Sequence, residues 1–252
     1  MLRRCVLTLL AHPDDAEILC AGTLTRLAGL GWEVHIATAT AGDCGTATQS
    51  AAEISRIRLD EAQSAAGLIG ANYHCLGMLD GRVCYDVGSL GMCFDLLRRV
   101  NPSLVLTHPR RDYMMDHEVV HQLARAASFV FAARNVSDTP LPIGAVVPHL
   151  YYTDPIGGVD ELGWEIVPGT LVDISGAAQQ AKLRMLACHA SQREWLRHHH
   201  GMDEYVEATR RRDAGRGRLL GVAAAEGFVQ HRGHAYPGDD LLGELFSLAK
   251  ER

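Results

Sequence analysis

No stretch of this 252-residue chain approaches the roughly 20 consecutive apolar residues that a membrane-spanning helix requires. Its seven cysteines, at 5, 20, 44, 75, 84, 93 and 188, form an odd set without a C-x-x-C pair, which excludes the usual redox and zinc-ribbon spacings. Five of them fall in segments that read as regular apolar elements, so free thiols in a reducing cytoplasm are expected. Long runs of one charge, internal repeats and low-complexity tracts are also missing. With 24 Lys+Arg against 30 Asp+Glu and a formal charge of -6, the chain has no electrostatic footprint for nucleic acid. The one basic cluster, Arg210, Arg211 and Arg212, sits among Glu204, Glu207 and Asp213 and reads as a solvated helix face. The opening MLRRCVLTLLA imitates a secretory signal, but its apolar run is only about seven residues long and leads directly into a polar cluster, so it is read as part of the folded chain.

What the sequence does contain is an alternation of apolar strands and amphipathic helices. Residues 5 to 11 are a continuous apolar run, as expected for a strand covered on both faces of a parallel sheet. A helix fits 16 to 30, closed by Gly29 and Gly31, and EVHIATAT (33 to 40) is a second strand. After a loop at 41 to 49 come a helix over 51 to 69, a strand at 73 to 77, a turn at 79 to 82, a helix near 86 to 100 and the strand SLVLT ending at Thr107. A helix at 116 to 134 follows, then strands at 149 to 155 and 170 to 175, with Ser175 able to cap a helix over 176 to 190. From 191 onward a helix plus loop over the active edge is expected.

This pattern predicts an α/β fold: a Rossmann-like, doubly wound, mainly parallel sheet with helices on both faces. A single domain over 1–252 is expected, with the core over about 1–175 and a helical and loop part over about 176–252. Ligands in such sheets bind beyond the carboxyl ends of the strands. His12, Asp14 and Asp15 follow the first strand, Asp43 the second, Asp80 the third and His108 the fourth, so four polar clusters converge on one edge.

Two clusters carry chemistry. In AHPDDAE, one imidazole and one carboxylate at i and i+3 can share a metal while the carboxylate between them faces a bound water; the same letters could equally cap a helix starting at Ala16. In THPRRDYMMDHEVVHQL, Asp112, Asp116, His117 and His121 crowd the start of a helix, and there too Asp116 could be a cap with the histidines on the surface. Hydrolytic zinc sites use three protein ligands and an open position, and the two clusters together can supply three. Three successive residues, His198, His199 and His200, cannot all face one ion on a helix, and His231 and His234 are discounted in the same way. Trp195, Tyr205 and Phe228 are candidates for pocket walls, with core packing the simpler alternative.

AHPDDAE after the first strand and THPRRDYMMDHE after a later one resemble the PIG-L/LmbE-like zinc-dependent N-deacetylase family, with further matches at RLDEA, LDG, HASQ and AAEGF. The resemblance implies a hydrolase that removes an acyl group, commonly acetyl, from N-acylated amino sugars and their conjugates. It implies His12, Asp15 and His117 as zinc ligands, with Fe2+ or Co2+ compatible with the same donors, and Asp14 as general base. It further implies that Arg58 and Asp80 line the substrate pocket. One departure is expected to matter: where the family often carries a histidine three residues before the last ligand, this chain has Met114, which cannot donate a proton. His108, His121, His189 or one of His198, His199 and His200 are candidates to replace it. Competing readings are an amidase acting on a non-sugar or thiol-sugar conjugate, a catalytically impaired metal- or sugar-binding homologue, and a nucleotide-binding module; the last is weakened because HPDDAE, not G-x-G-x-x-G, follows the first strand. The apolar segment AASFVFAAR (126 to 134) could serve a homo-oligomeric interface as readily as a core.

Overall fold

A computed structural model describes residues 3–193 and 205–247. Seven strands, β1 (Cys5–Leu10), β2 (Glu33–Thr40), β3 (Asn72–Met78), β4 (Leu104–Thr107), β5 (His149–Thr153), β6 (Thr170–Asp173) and β7 (Ala225–Gln230), form one sheet in the order β3-β2-β1-β4-β5-β7-β6. β3, β2, β1, β4 and β5 pair in parallel, and β7 is antiparallel to both β5 and β6. The mainly parallel α/β sheet inferred from the sequence is therefore the observed one.

Every residue of β1 and β4 is buried, because helices cover both faces of the sheet. On one face Val6, Leu10, Ile36 and Leu106 meet Leu24 and Leu27 of α2 (Ala21–Gly29) and Met185 of α6 (Ala177–Ala187). On the other, Leu7, Leu9 and Ala37 meet Leu96 and Leu97 of α4 (Val87–Val100) and Val120, Leu123 and Ala127 of α5 (Met115–Val130). The remaining α-helices among the described residues are α1 (Asp15–Leu19), α3 (Ala51–Gly67), α7 (Tyr205–Leu220) and α8 (Leu241–Ser247). Phe228 is wholly buried in the first of these cores, so it is not a pocket wall. Trp195 and His198 to His200 lie outside the described residues, as does the side chain of Tyr205.

Three local expectations are corrected. The single helix expected over 16 to 30 is broken at Cys20 (φ -150°, ψ 7°) into α1 and α2. The break is stabilised from far away: the Glu226 carboxylate accepts the Gly22 and Thr23 amides at 3.0 and 2.7 Å, satisfying free N–H groups at the start of α2. Ser175 does not cap α6. Gly176, with φ 74°, holds the cap position, while the Ser175 hydroxyl accepts the Ala224 amide at 3.1 Å and lies 3.3 Å from the Ala224 carbonyl. Finally, β7 was not anticipated, because AEGFVQ places a charged residue and a glycine at inward positions. Glu226 is tolerated there because it also receives the ammonium of Lys182, fully buried, at 2.8 Å, which in turn reaches Asp213 at 2.7 Å.

Removing the cation from this triad leaves two buried carboxylates facing each other. Lys182→Met is expected to cost about 3 kcal/mol of stability, read as a lower urea midpoint; a midpoint matching the parent would show that the triad does not tie β7 to the helices.

Candidate metal centre

β1 and β4 are adjacent, with Leu9 opposite Thr107, so the segments that leave their carboxyl ends emerge side by side. This is where the strand order reverses direction, from β1 outward to β2 on one side and to β4 on the other, the usual crevice of an open α/β sheet. The Ala11 amide donates to His108 Nε2 at 2.9 Å and stitches the two segments together. Neither cluster behaves as a set of helix caps. Asp14 holds the N-cap position of α1 with φ 103° and makes no side-chain cap hydrogen bond, and α5 begins after Met114, also without one. A left-handed backbone at a non-glycine residue costs about 1 kcal/mol or more. It turns Asp15 back towards the His12 amide, which donates to Asp15 Oδ2 at 2.7 Å.

Three side chains converge. His12 Nδ1 lies 3.3 Å from His117 Nε2 and 3.5 Å from an Asp15 oxygen, and His117 Nε2 lies 3.6 Å from the other Asp15 oxygen. Ligands about 2.0–2.1 Å from a tetrahedral ion are separated by about 3.3–3.4 Å, so this triangle fits a divalent ion with little adjustment. The far side of each ring is held by carboxylate. His117 Nδ1 lies 3.0 Å from Asp112 Oδ1, and His12 Nε2 lies 3.1 Å from Asp80 and 3.4 Å from Asp116. Those bonds place a proton on each outer nitrogen and leave the inner one bare, the arrangement that orients metal-binding imidazoles. The outer carboxylates are themselves fixed by backbone: Asp80 accepts Cys44 N–H at 3.2 Å, and Asp116 accepts Gly81 and Val83 N–H at 2.6 and 3.3 Å.

The charges demand a cation. Asp15, Asp80, Asp112 and Asp116 are all buried within a few ångströms of two imidazoles. Burial would depress His12, yet hydrogen bonds to Asp116, Asp15 and Asp80 carry its pKa well above the ordinary value. His117 is likewise depressed by burial and then raised above it by the charge of Asp15 and the bond to Asp112. Burial pushes Asp15 up, but His117 and its other imidazole neighbours hold it well below the usual carboxylate range.

Other expected residues take positions behind the site. Arg58 is buried on α3 and donates to Pro13 O at 2.6 Å and Gly42 O at 3.3 Å, with its guanidinium 3.4 Å from Asp14. A Cβ at Gly42 or Gly45 would collide with that guanidinium, so these glycines make room for it. Asp80 is buried and backs His12 at 3.1 Å. His108 is wholly buried and stacks on His117 with centroids 3.9 Å apart; burial and the His117 charge push its pKa down to about 4. His121 donates Nδ1–H to His108 O at 2.9 Å, and burial pushes its pKa to about 4 as well. His189 lies 3.5 Å from Glu17, away from the triangle. Met114 is half-buried at the start of α5. The supporting roles of Asp112 and Asp116 went unassigned in the sequence; their only signal was two further acids flanking His117.

The pKa values of both imidazoles are raised by their carboxylate partners, so an ion competes with protons for them. Zinc uptake should therefore release protons, measurable by calorimetry in buffers of different ionisation enthalpy, and affinity should rise with pH. Uptake without proton release would remove the imidazoles from the ligand set.

The family described as PIG-L: GlcNAc-PI de-N-acetylase matches residues 7–128, which contain both clusters. A 1D-myo-inositol 2-acetamido-2-deoxy-alpha-D-glucopyranoside deacetylase of Segniliparus rotundus is 30% identical over 241 residues, covering 72% of this chain and 75% of the relative. A 4-oxalmesaconate hydratase of Pseudomonas putida is 25% identical over 239 residues, covering 92% of this chain and 88% of the relative. Among solved structures, the N,N'-diacetylchitobiose deacetylase of Pyrococcus horikoshii superimposes with a TM-score of 0.75 at 25% identity, covering 94% of this chain and 88% of that one.

Proposed function

The chain belongs to the PIG-L family, and from that premise we propose that it is a divalent-metal hydrolase removing an acyl group, acetyl first of all, from the nitrogen of an N-acylated amino sugar or sugar conjugate. The observation that carries this reading is the triangle of His12 Nδ1, Asp15 and His117 Nε2, with Asp14 beside it in a left-handed turn. These three residues would hold the ion, zinc being the natural choice for two nitrogens and one oxygen and Fe2+ or Co2+ being compatible. When bound, the metal polarises the acyl carbonyl and lowers the pKa of a water towards about 7.

The protein's own groups do the rest. Asp14, its carboxylate partly exposed and steadied by Arg58 at 3.4 Å, takes the proton from the attacking water. The same carboxylic acid then returns that proton to the departing nitrogen. In this reading a single residue serves both halves, Met114 having no proton to give and burial having pushed the pKa values of His108 and His121 down to about 4. Arg58, fixed by two backbone carbonyls, holds Asp14 in place between the two transfers. The free cysteines fit a reducing compartment, and the cytoplasm is the location this reading adopts.

A second reading is favoured by one observation. The hydratase relative is matched over 92% of this chain, and addition of water to a carbon–carbon double bond expels no amine. In that case Asp14 takes a proton from water as the oxygen bonds to one alkene carbon of an unsaturated acid and returns that proton to the neighbouring carbon, so one carboxylate again serves both transfers. Acetate release from N-acetyl amino sugars, run beside the loss of ultraviolet absorbance of 4-oxalmesaconate, separates the two.

Asp14→Asn is expected to retain one metal per chain by mass spectrometry and to lose about 10²- to 10⁴-fold in turnover. His117→Ala should lose both metal and turnover. An Asp14→Asn enzyme of undiminished activity would remove Asp14 from the mechanism.

A further inference from the structure

Four side chains with metal-binding atoms meet at the opposite edge of the sheet, where the strands begin. Cys5 opens β1, Glu33 opens β2, and the two stand side by side in the parallel register. His35, two residues along, points to the same face. On β3, Asn72 is paired with His35, so His74, two residues further, shares that face too. One ligand atom each from Cys5, Glu33 and His35 lie within 4.8 Å of one another. His35 Nε2 faces Glu33 Oε1 at 3.0 Å, and its Nδ1 meets His74 Nε2 at 2.9 Å.

Packing alone does not require this group. Further along the same face the strands carry Leu7, Leu9, Ala37 and Ala39, all in the core beneath α4 and α5. An imidazole only 8% exposed interrupts that apolar row, and the proposed hydrolysis uses none of the four residues. The hydrogen bonds around it suit a ligand. His74 Nε2 can accept Nδ1–H of His35, as outer partners of metal-binding imidazoles do, and this leaves His35 Nε2 bare beside Glu33. Arg3 pairs with Glu33 through Oε2 at 2.8 Å and leaves Oε1 to the site. The Glu33 side chain, 46% exposed, gives an ion its way in from solvent.

We propose that Cys5 Sγ, Glu33 Oε1 and His35 Nε2 form a second metal site, for a thiolate-seeking divalent transition ion such as zinc, with His74 orienting His35. Thiolate and imidazole do not suit magnesium or calcium, which take oxygen ligands, and a water completes the tetrahedron. The thiolate and carboxylate together match the double charge of the ion. On binding, the thiol proton passes to water as the sulfur–metal bond forms, with no change of oxidation state. Burial pushes the Cys5 thiol up to about 11, and Arg3 adds a positive charge nearby, so this site fills after the candidate centre. Its ion ties the starts of β1 and β2 together and plays no part in turnover.

Cobalt titration of the full chain tests this. The His12–Asp15–His117 centre has no sulfur, so thiolate-to-cobalt charge-transfer absorption in the near ultraviolet reports the second site alone. The first equivalent should add little of this absorption, and a second, weaker one should bring it in. Cys5→Ser should abolish it and leave the first uptake intact. Because Cys5 is fully buried and that variant can fail to fold, Glu33→Ala and His74→Phe at less buried positions carry the test independently. Each should raise the cobalt concentration for half-saturation about tenfold or more. Absorption that is absent at millimolar cobalt overturns the proposal. So does absorption that survives Cys5→Ser, which would belong to another cysteine such as the exposed Cys44 or Cys84, or that neither Glu33→Ala nor His74→Phe shifts, which would mark a lone thiol. Failure of the candidate centre would instead remove the first, sulfur-free uptake, so the two claims are read separately.

Discussion

The hydrogen bonds from His117 Nδ1 to Asp112 and from His12 Nε2 to Asp80 and Asp116 decide which nitrogen each ring turns inward. Without them the imidazoles would be free to rotate, and the inner triangle with Asp15 would not hold its 3.3–3.6 Å spacing. They also concentrate negative charge where little water can solvate it, a situation tolerated only if positive charge is supplied nearby. Protons supply it in one state and a dication would in another. The same carboxylates knit the β3–α4 and β4–α5 loops to each other through Gly81 and Val83, so the arrangement that tunes the centre also shapes its mouth.

Asp14 is placed by a second constraint. Its left-handed backbone, φ 103°, would be an unwelcome conformation in an ordinary turn, and it persists because both sides are pinned. The His12 amide is held by Asp15, and the Pro13 carbonyl is held by Arg58. Behind α1, Glu226 fixes the start of α2, so the short helix bearing Asp15 and Glu17 cannot merge with the helix that follows. Local strain at the reactive turn is thus balanced by buried contacts elsewhere.

Much of this was legible in the chain itself. Strands buried on both faces read as uninterrupted apolar runs, which is why β1, β2 and β4 could be placed within a residue or so. The convergence of residues 12 to 15 with 108 to 117 followed from strand topology. What local patterns could not reveal were interactions between distant segments. Cys20 breaks a helix because of a carboxylate about two hundred residues later, and that carboxylate sits in a strand whose charged residue masks its alternation. Arg58 and Asp80 are polar residues at the right edge, and only the three-dimensional arrangement shows that they reach Asp14 and His12.

The central claim is that one ion sits inside the His12–Asp15–His117 triangle. Anomalous diffraction from crystals of the zinc-loaded protein tests it most directly. One dominant peak is predicted, bonded to His12 Nδ1, an Asp15 oxygen and His117 Nε2 at about 2.0–2.2 Å, with Asp80, Asp112 and Asp116 outside bonding distance. A dominant peak on the Nε2 side of His12 among Asp80 and Asp116, or at the distant cluster of Cys5, Glu33 and His35, would contradict the account.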